Sequence, residues 1–94
     1  MAWIFEVRDK TGRLIHLSDE RLAHIMTHPE MTNQLEQLQE TVVEPAIISQ
    51  DHVRPSIHYY FRYYKNRGEH LCVAVKYLNG DGFIMTAFYT DRIP

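Results

Sequence analysis

The alternation of apolar and polar side chains is strongest in the last third of the chain, where Ile57 to Lys65, Glu69 to Asn79 and Phe83 to Thr90 each read as a strand. The segments between them, Asn66-Arg67-Gly68 and Gly80-Asp81-Gly82, have the composition of three-residue hairpin loops with glycine in the third, left-handed position. Loops of that length pair Lys65 with Glu69 and Asn79 with Phe83. Counting back places Arg62 opposite Cys72, Tyr60 opposite Ala74, His58 opposite Lys76, and Lys76 opposite Thr86. His58, Tyr60, Arg62, Tyr64, Lys76, Thr86 and Thr90 then share one face. The other carries Ile57, Tyr59, Phe61, Tyr63, Leu71, Val73, Val75, Tyr77, Met85, Ala87 and Tyr89. A one-residue slip inverts every side chain, so the apolar agreement of the second set argues for these loops over two-residue ones. The expectation is a meander with a core face and a polar working face.

Upstream, Trp3 to Arg8 and Arg13 to Leu17 form a hairpin around the turn Asp9-Lys10-Thr11-Gly12. Ser18 is placed to cap a helix running to Thr27 or His28, with Asp19 and Glu20 at its positive end and Leu17 stapled against Leu22; Pro29 ends it. Leu35, Leu38 and Val42 recur at helical spacing in a second helix from Met31 or Thr32 to about Val43, which stops before Pro45. Ala46-Ile47-Ile48 is a short apolar segment suited to an edge strand, and Asp51 to Ser56 is a loop. The order predicts one α+β domain over residues 1–94: an N-terminal β-hairpin, two helices, then a three- to four-stranded antiparallel meander with the helices on one face.

Composition narrows the function classes. Hydrophobic residues make up 45% of the 94 residues and charged residues 23%, the balance of a globular domain. No stretch approaches the roughly 20 apolar residues that span a bilayer, no signal-peptide pattern opens the chain, and a cytoplasmic location is expected. Cys72 is the only cysteine, so neither an internal disulfide nor a cysteine zinc site is expected. The formal net charge of −2 argues against bulk electrostatic grip on nucleic acid. It is unevenly spread, however: residues 1–47 carry four basic and eight acidic side chains, residues 48–94 six basic and four acidic, so an anionic ligand would meet the sheet first.

The chemistry on the expected working face suits RNA. Metal-free phosphodiester cleavage needs a base for the 2′-hydroxyl, an acid for the departing oxygen, and cations or hydroxyls for the phosphorane-like state. Arg62 and Lys76 supply charge, Thr86 a hydrogen bond, and Tyr60 and Tyr64 stacking platforms for unpaired bases, with His58 and Thr90 beside them. On a solvent-facing strand the same residue types are also ordinary occupants. His24 and His28 lie four apart on the first helix; histidine is the natural acid–base group near neutrality. Their spacing also suits two metal ligands, without the third and fourth that zinc wants, so no metal or other cofactor is expected. His16, His52 and His70 read as surface residues. No phosphate-binding glycine loop, Gly-x-Ser-x-Gly elbow or paired helical carboxylates appear.

Several stretches are familiar together: Leu17-Ser18-Asp19-Glu20-Arg21-Leu22-Ala23-His24-Ile25 followed by His28-Pro29-Glu30, then Glu44-Pro45-Ala46-Ile47, Tyr59-Tyr60-Phe61-Arg62, Val73-Ala74-Val75-Lys76, and Gly82-Phe83-Ile84-Met85-Thr86-Ala87-Phe88. In that order, from about Leu14 to Ile93, they resemble the phage- and prophage-associated domains grouped with barnase, EndoU, the tRNA-cleaving colicins and RelE toxins. The resemblance implies helices on a four-stranded antiparallel sheet and metal-independent RNA cleavage. It matches His24 to the helical histidine, Arg62 and Lys76 to the basic strand residues, and Thr86 to the late-strand hydroxyl. An RNA substrate and a small antitoxin-like partner follow from it. The alternative is a non-catalytic module of the same fold that uses the Tyr and Arg face for a protein or RNA; Tyr and Arg are common interface anchors, and edge strands also permit a homodimer.

Overall fold

The computed structural model describes residues 3–93. The chain runs β1 (Trp3–Arg8), β2 (Leu14–Ser18), α1 (Asp19–Ile25), a single 3-10 turn (Pro29–Met31), α2 (Leu35–Val43), β3 (Ile47–Gln50), β4 (Ile57–Tyr64), β5 (Glu69–Leu78) and β6 (Asp81–Thr90). This is an α+β fold, as expected, but its sheet is larger. Among the described residues six strands form one sheet in the order β1-β2-β6-β5-β4-β3, and β2 runs parallel to β6. The three- to four-stranded antiparallel meander is therefore corrected to a six-stranded mixed sheet. Physically, the N-terminal hairpin adds to one edge of the meander and β3 to the other, pairing backbone groups that a bare meander would leave open.

Ser18 caps α1 as its sequence implied, its Oγ accepting from Arg21 N at 3.1 Å with Asp19 and Glu20 in the first turn. The helix is shorter than expected: Thr27 Oγ1 donates to the His24 carbonyl at 2.7 Å, and the chain turns through His28 into the Pro29 3-10 turn. The left-handed backbone at Asn33 (φ 60°) likewise prevents a helix starting at Met31, so α2 begins at Leu35. Ile25, Met31, Leu38 and Val42 of this layer bury themselves against Ile15, Leu17, Leu71, Val73, Val75, Ile84 and Ala87 of the sheet. Each such aliphatic side chain contributes roughly 1.5–3 kcal/mol by leaving water.

The strand register differs from the expected one at both turns. The β4–β5 hairpin closes at Tyr64 and Glu69 around the four residues Lys65 to Gly68, and β5–β6 closes at Leu78 and Asp81 around Asn79-Gly80. Asn79 (φ 53°) and Gly80 (φ 88°) both adopt left-handed dihedrals, the pattern of a two-residue I′ turn. Arg62 consequently faces Leu71, Tyr60 faces Val73, His58 faces Val75 and Lys76 faces Phe83, while Thr86 faces Ala74 beyond a bulge at Met85. The assignment of faces on β5 and most of β6 survives this change, with Met85 leaving the core set because it forms the bulge. That of β4 is inverted. His58, Tyr60, Arg62 and Tyr64 lie on the helix-covered side, and Ile57, Tyr59, Phe61 and Tyr63 on the side without helices.

Gly82 belongs to β6 rather than to a turn. Its missing side chain leaves room for Ile15, Val75 and Tyr77, whose side-chain atoms converge where a Cβ would stand. Gly82→Ala is expected to destabilise the fold by about 1–3 kcal/mol through overpacking, read as a lower urea midpoint with an unchanged slope. A midpoint equal to that of wild type would refute the close approach.

Candidate functional site on the open face of the sheet

The eight residues expected to form the site are divided by the fold. Arg62 stands under the helices at the β4 side, its Nη1 donating to the Glu44 carbonyl at 2.7 Å and its Nε lying 3.5 Å from the Glu40 carboxylate. Tyr64 Oη donates to Glu40 Oε1 at 2.7 Å; burial pushes its pKa up to about 12, with Glu40 adding to the shift against the Thr41 hydroxyl. His24 is exposed on α1, in the helical layer. Lys76, Thr86 and Thr90 lie on the opposite, uncovered face, Lys76 exposed and the two threonines half-buried. The structure thus brings Lys76, Thr86 and Thr90 onto one surface and leaves Arg62, His24, His58, Tyr60 and Tyr64 off it.

Tyr60 and His58 belong instead to a buried polar cluster. Asp9 Oδ2 accepts from Tyr60 Oη at 2.6 Å and from Tyr77 Oη at 2.7 Å, and the two phenol oxygens also lie against each other. Oδ1 accepts from Thr11 N (2.9 Å), Thr11 Oγ1 (2.7 Å) and Arg13 N (2.9 Å). Burial would raise the Asp9 pKa, but these hydrogen bonds outweigh it and hold the carboxyl below its ordinary 3.8. Burial and the Asp9 charge push Tyr60 up to about 12 and Tyr77 higher still. The Arg13 guanidinium lies 4.1 Å over the Tyr77 ring, and the His58 ring is 4.8 Å from it. His58 is depressed first by burial and then by the Arg13 charge. Through its five hydrogen bonds the Asp9 carboxylate ties the β1–β2 turn to β4 and β5.

The uncovered face holds two hollows separated by the Ala74–Thr86 pair. In the first, of about 370 Å³, Trp3, His16, Lys76, Phe83 and Met85 meet Ser18 to Arg21 at the start of α1. The His16 ring stacks on Phe83 (5.0 Å, 19° between planes) and packs against Trp3 (4.6 Å). It is 6% exposed, with Nε2 3.1 Å from Asp81 Oδ2 and Nδ1 2.7 Å from Glu6 Oε2, the latter off the line of a good hydrogen bond. His16 was expected at the surface; the β2–β6 pairing, which sets it beside Phe83, buries it. Its one sequence signal was a lone polar residue between Ile15 and Leu17. Glu6 and Asp81 approach opposite ring nitrogens and so cannot converge on one ion with it, and among the described residues no three His, Cys, Asp or Glu side chains form a metal cluster.

The second hollow, of about 300 Å³, is floored by Tyr59, Phe61, Cys72 and Phe88 and rimmed by Ser49 to His52, Thr90 and Arg92. Asp51 holds this rim by accepting from Arg54 N (2.8 Å), Tyr59 Oη (2.7 Å) and Val53 N (2.9 Å), bonds that lower its pKa to about 2. Burial raises the Cys72 thiol to about 12, which keeps it protonated and unreactive. His70 also lies on this face, paired with Thr90 and against the Tyr63 ring at 5.1 Å. Among the described residues no helix is long and apolar enough to cross a membrane.

Comparison with protein-family models, with curated proteins and with solved structures finds no match for this chain.

The buried cluster predicts a two-step acid profile. His58 has a folded pKa below its ordinary 6.5, so the unfolded chain binds its proton first and stability is lost as pH falls below that value. Asp9 repeats the pattern from 3.8 downward, as its depressed pKa is passed. Urea midpoints measured from pH 7.5 to 3 should fall in both windows, and His58→Gln should remove the upper fall alone. A flat profile between pH 7 and 5 in wild type would contradict the placement of His58.

Proposed function

We propose that this protein is a metal-independent ribonuclease of the toxin type, acting on unpaired RNA along the uncovered face of its sheet. The observation that carries the reading is the presence on that face of Lys76, in the wall of one aromatic hollow, and of Thr86, on the ridge between the two. Such a surface combines a cation for the phosphate with rings on which bases stack, the two elements of sequence-tolerant single-strand binding. The sequence resemblance to the barnase, EndoU, colicin and RelE group supports the same substrate. In the proposed reaction the 2′-oxygen attacks the adjacent phosphorus as a base takes its proton. The 5′-oxygen leaves with a proton from an acid, giving a 2′,3′-cyclic phosphate and a free 5′-hydroxyl. Lys76 and Thr86 hold the phosphate oxygens, and the proton transfers fall to His16, which lines the same hollow as Lys76. A small antitoxin-like protein would act by covering this surface.

A second reading, a module that binds RNA or a protein without cutting, is favoured by one observation. Arg62 is engaged by the Glu44 carbonyl, and His24 stands in the helical layer, so two residues of the expected catalytic set are off the face.

The distinguishing experiment incubates purified protein with single-stranded RNA in EDTA and reads product ends. Wild type should release 2′,3′-cyclic phosphates. Lys76→Ala and Thr86→Val should each lower the rate roughly 100- to 1,000-fold, as loss of a transition-state donor does, and Arg62→Ala should keep cleavage while losing stability. RNA held but left intact, with binding lost in Lys76→Ala, identifies the module. RNA neither held nor cut by folded protein rejects both.

A further inference from the structure

We infer that the hollow beside His16 is a nucleotide subsite: it takes one base and its phosphate from an unpaired RNA strand, and so it rests on the RNA reading of this face. The hollow's volume, about 370 Å³, falls at the small end of the roughly 300–1,000 Å³ typical of ligand sites. Its walls divide by chemistry. Phe83 and Trp3, both half-buried and 6.0 Å apart between ring centroids, offer π-faces for a flat heterocycle. Lys76, directly across the β5–β6 ladder from Phe83, and Arg21 on α1 supply cations on the same rim. Asp19 and Glu20 add acceptors there, which suit the exocyclic amino groups of adenine, guanine and cytosine, whereas uracil has no amino group and offers only its N3–H.

His16 is the independent indication that this hollow is built for a ligand. A polar ring 6% exposed in the wall of a hollow is costly unless its nitrogens are satisfied, and its Nδ1 lacks a well-directed partner despite the nearness of Glu6. Three strands contribute to holding it: Glu6 from β1, His16 itself from β2 and Asp81 from β6. That arrangement fixes the ring rigidly against Phe83 at 5.0 Å and so fixes the stacking platform. A polar group spent in this way does little for the core, where an aliphatic residue would pack without needing partners.

The chain's single tryptophan reports on the site directly, because Trp3 lines it. The experiment titrates full-length protein with each nucleoside 3′-monophosphate and with inorganic phosphate, following tryptophan fluorescence excited at the red edge of its absorption. The same preparations are then assayed with single-stranded RNA. Saturable quenching by the adenosine, guanosine and cytidine phosphates is expected, with uridine phosphate weakest and inorganic phosphate without effect. Phe83→Leu, which keeps apolar volume, should weaken binding roughly 5- to 150-fold, the range that one stacked base spans. Lys76→Met should weaken it while leaving the circular dichroism spectrum unchanged. Unchanged fluorescence with every nucleotide overturns the subsite; if the same protein still binds or cuts RNA, the RNA reading survives without it. Equal quenching by inorganic phosphate also overturns it, since the base would then contribute nothing. Quenching by nucleotides from a protein that neither binds nor cuts RNA upholds the site and rejects the RNA reading in favour of a free nucleotide.

Discussion

One carboxylate couples the two ends of the sheet. Asp9 sits in the turn between β1 and β2 and accepts five hydrogen bonds, three of them from its own turn and two from phenols on β4 and β5. A buried charge is tolerated only when it is satisfied this fully, and the Tyr60 and Tyr77 hydroxyls are in turn buried because Asp9 satisfies them. The turn therefore cannot move without stranding Tyr60 and Tyr77. Fixing the turn fixes β2, and β2 joins β6 through a short parallel contact at Ile15–Gly82 and His16–Phe83. That contact needs the close approach permitted by Gly82, next to Tyr77 in the ladder. The hollow on the far side of the sheet exists because His16 is held there.

Much of this order was legible from local chemistry. Ser18 announced a helix start, Pro45 followed the end of α2, and the apolar alternation of β5 gave its two faces correctly. Register was the failure, and its cause is specific. Asn79-Gly80 is a strong I′ signal, but the neighbouring Gly80-Asp81-Gly82 offers a competing loop with equal glycine support. Local propensity cannot choose between them. The choice is made by Ile15, Val75 and Tyr77, which fill the space over Gly82, and by the bulge at Met85, which restores the phase of β6 so that Ala87 and Tyr89 still face inward. The Ile15 contact comes from β2, outside the hairpin, and the bulge has no signature in the turn's own sequence.

The β4 strand was ambiguous for a different reason. Both of its alternating sets are rich in aromatic rings, so hydrophobicity gives no preferred inward face. The more polar set goes under the helices because that is where its donors find acceptors: Tyr60 at Asp9, Tyr64 at Glu40 and Arg62 at the Glu44 carbonyl. The less polar set goes to the uncovered face, yet Ile57 is 3% exposed and Phe61 5%. Neighbouring rings and the Asp51 loop cover them without a helix. A rule that sends apolar residues to the helical side fails here because hydrogen-bond satisfaction, rather than area, decided the orientation.

The same principle separates residues that can act from those that only resemble functional ones. Beneath the helices three polar side chains named in the expected site are already committed: Arg62 to a carbonyl, Tyr64 to a carboxylate, Tyr60 to Asp9. Recruiting any of them to a ligand would first require breaking a partly buried bond, at roughly 1–3 kcal/mol for each group left unpaired. Among the described residues Lys76 has no such obligation; it is exposed, and its neighbours across the ladders are Phe83 and Ile57. Thr86 is set among Ala74 and aromatic rings rather than in the hydrogen-bonded network on the helical side. A cation and a hydroxyl left uncommitted on an aromatic surface can meet a phosphate at little cost, which is why the uncovered face, rather than the richer polar cluster around Asp9, is the place to look for this protein's chemistry.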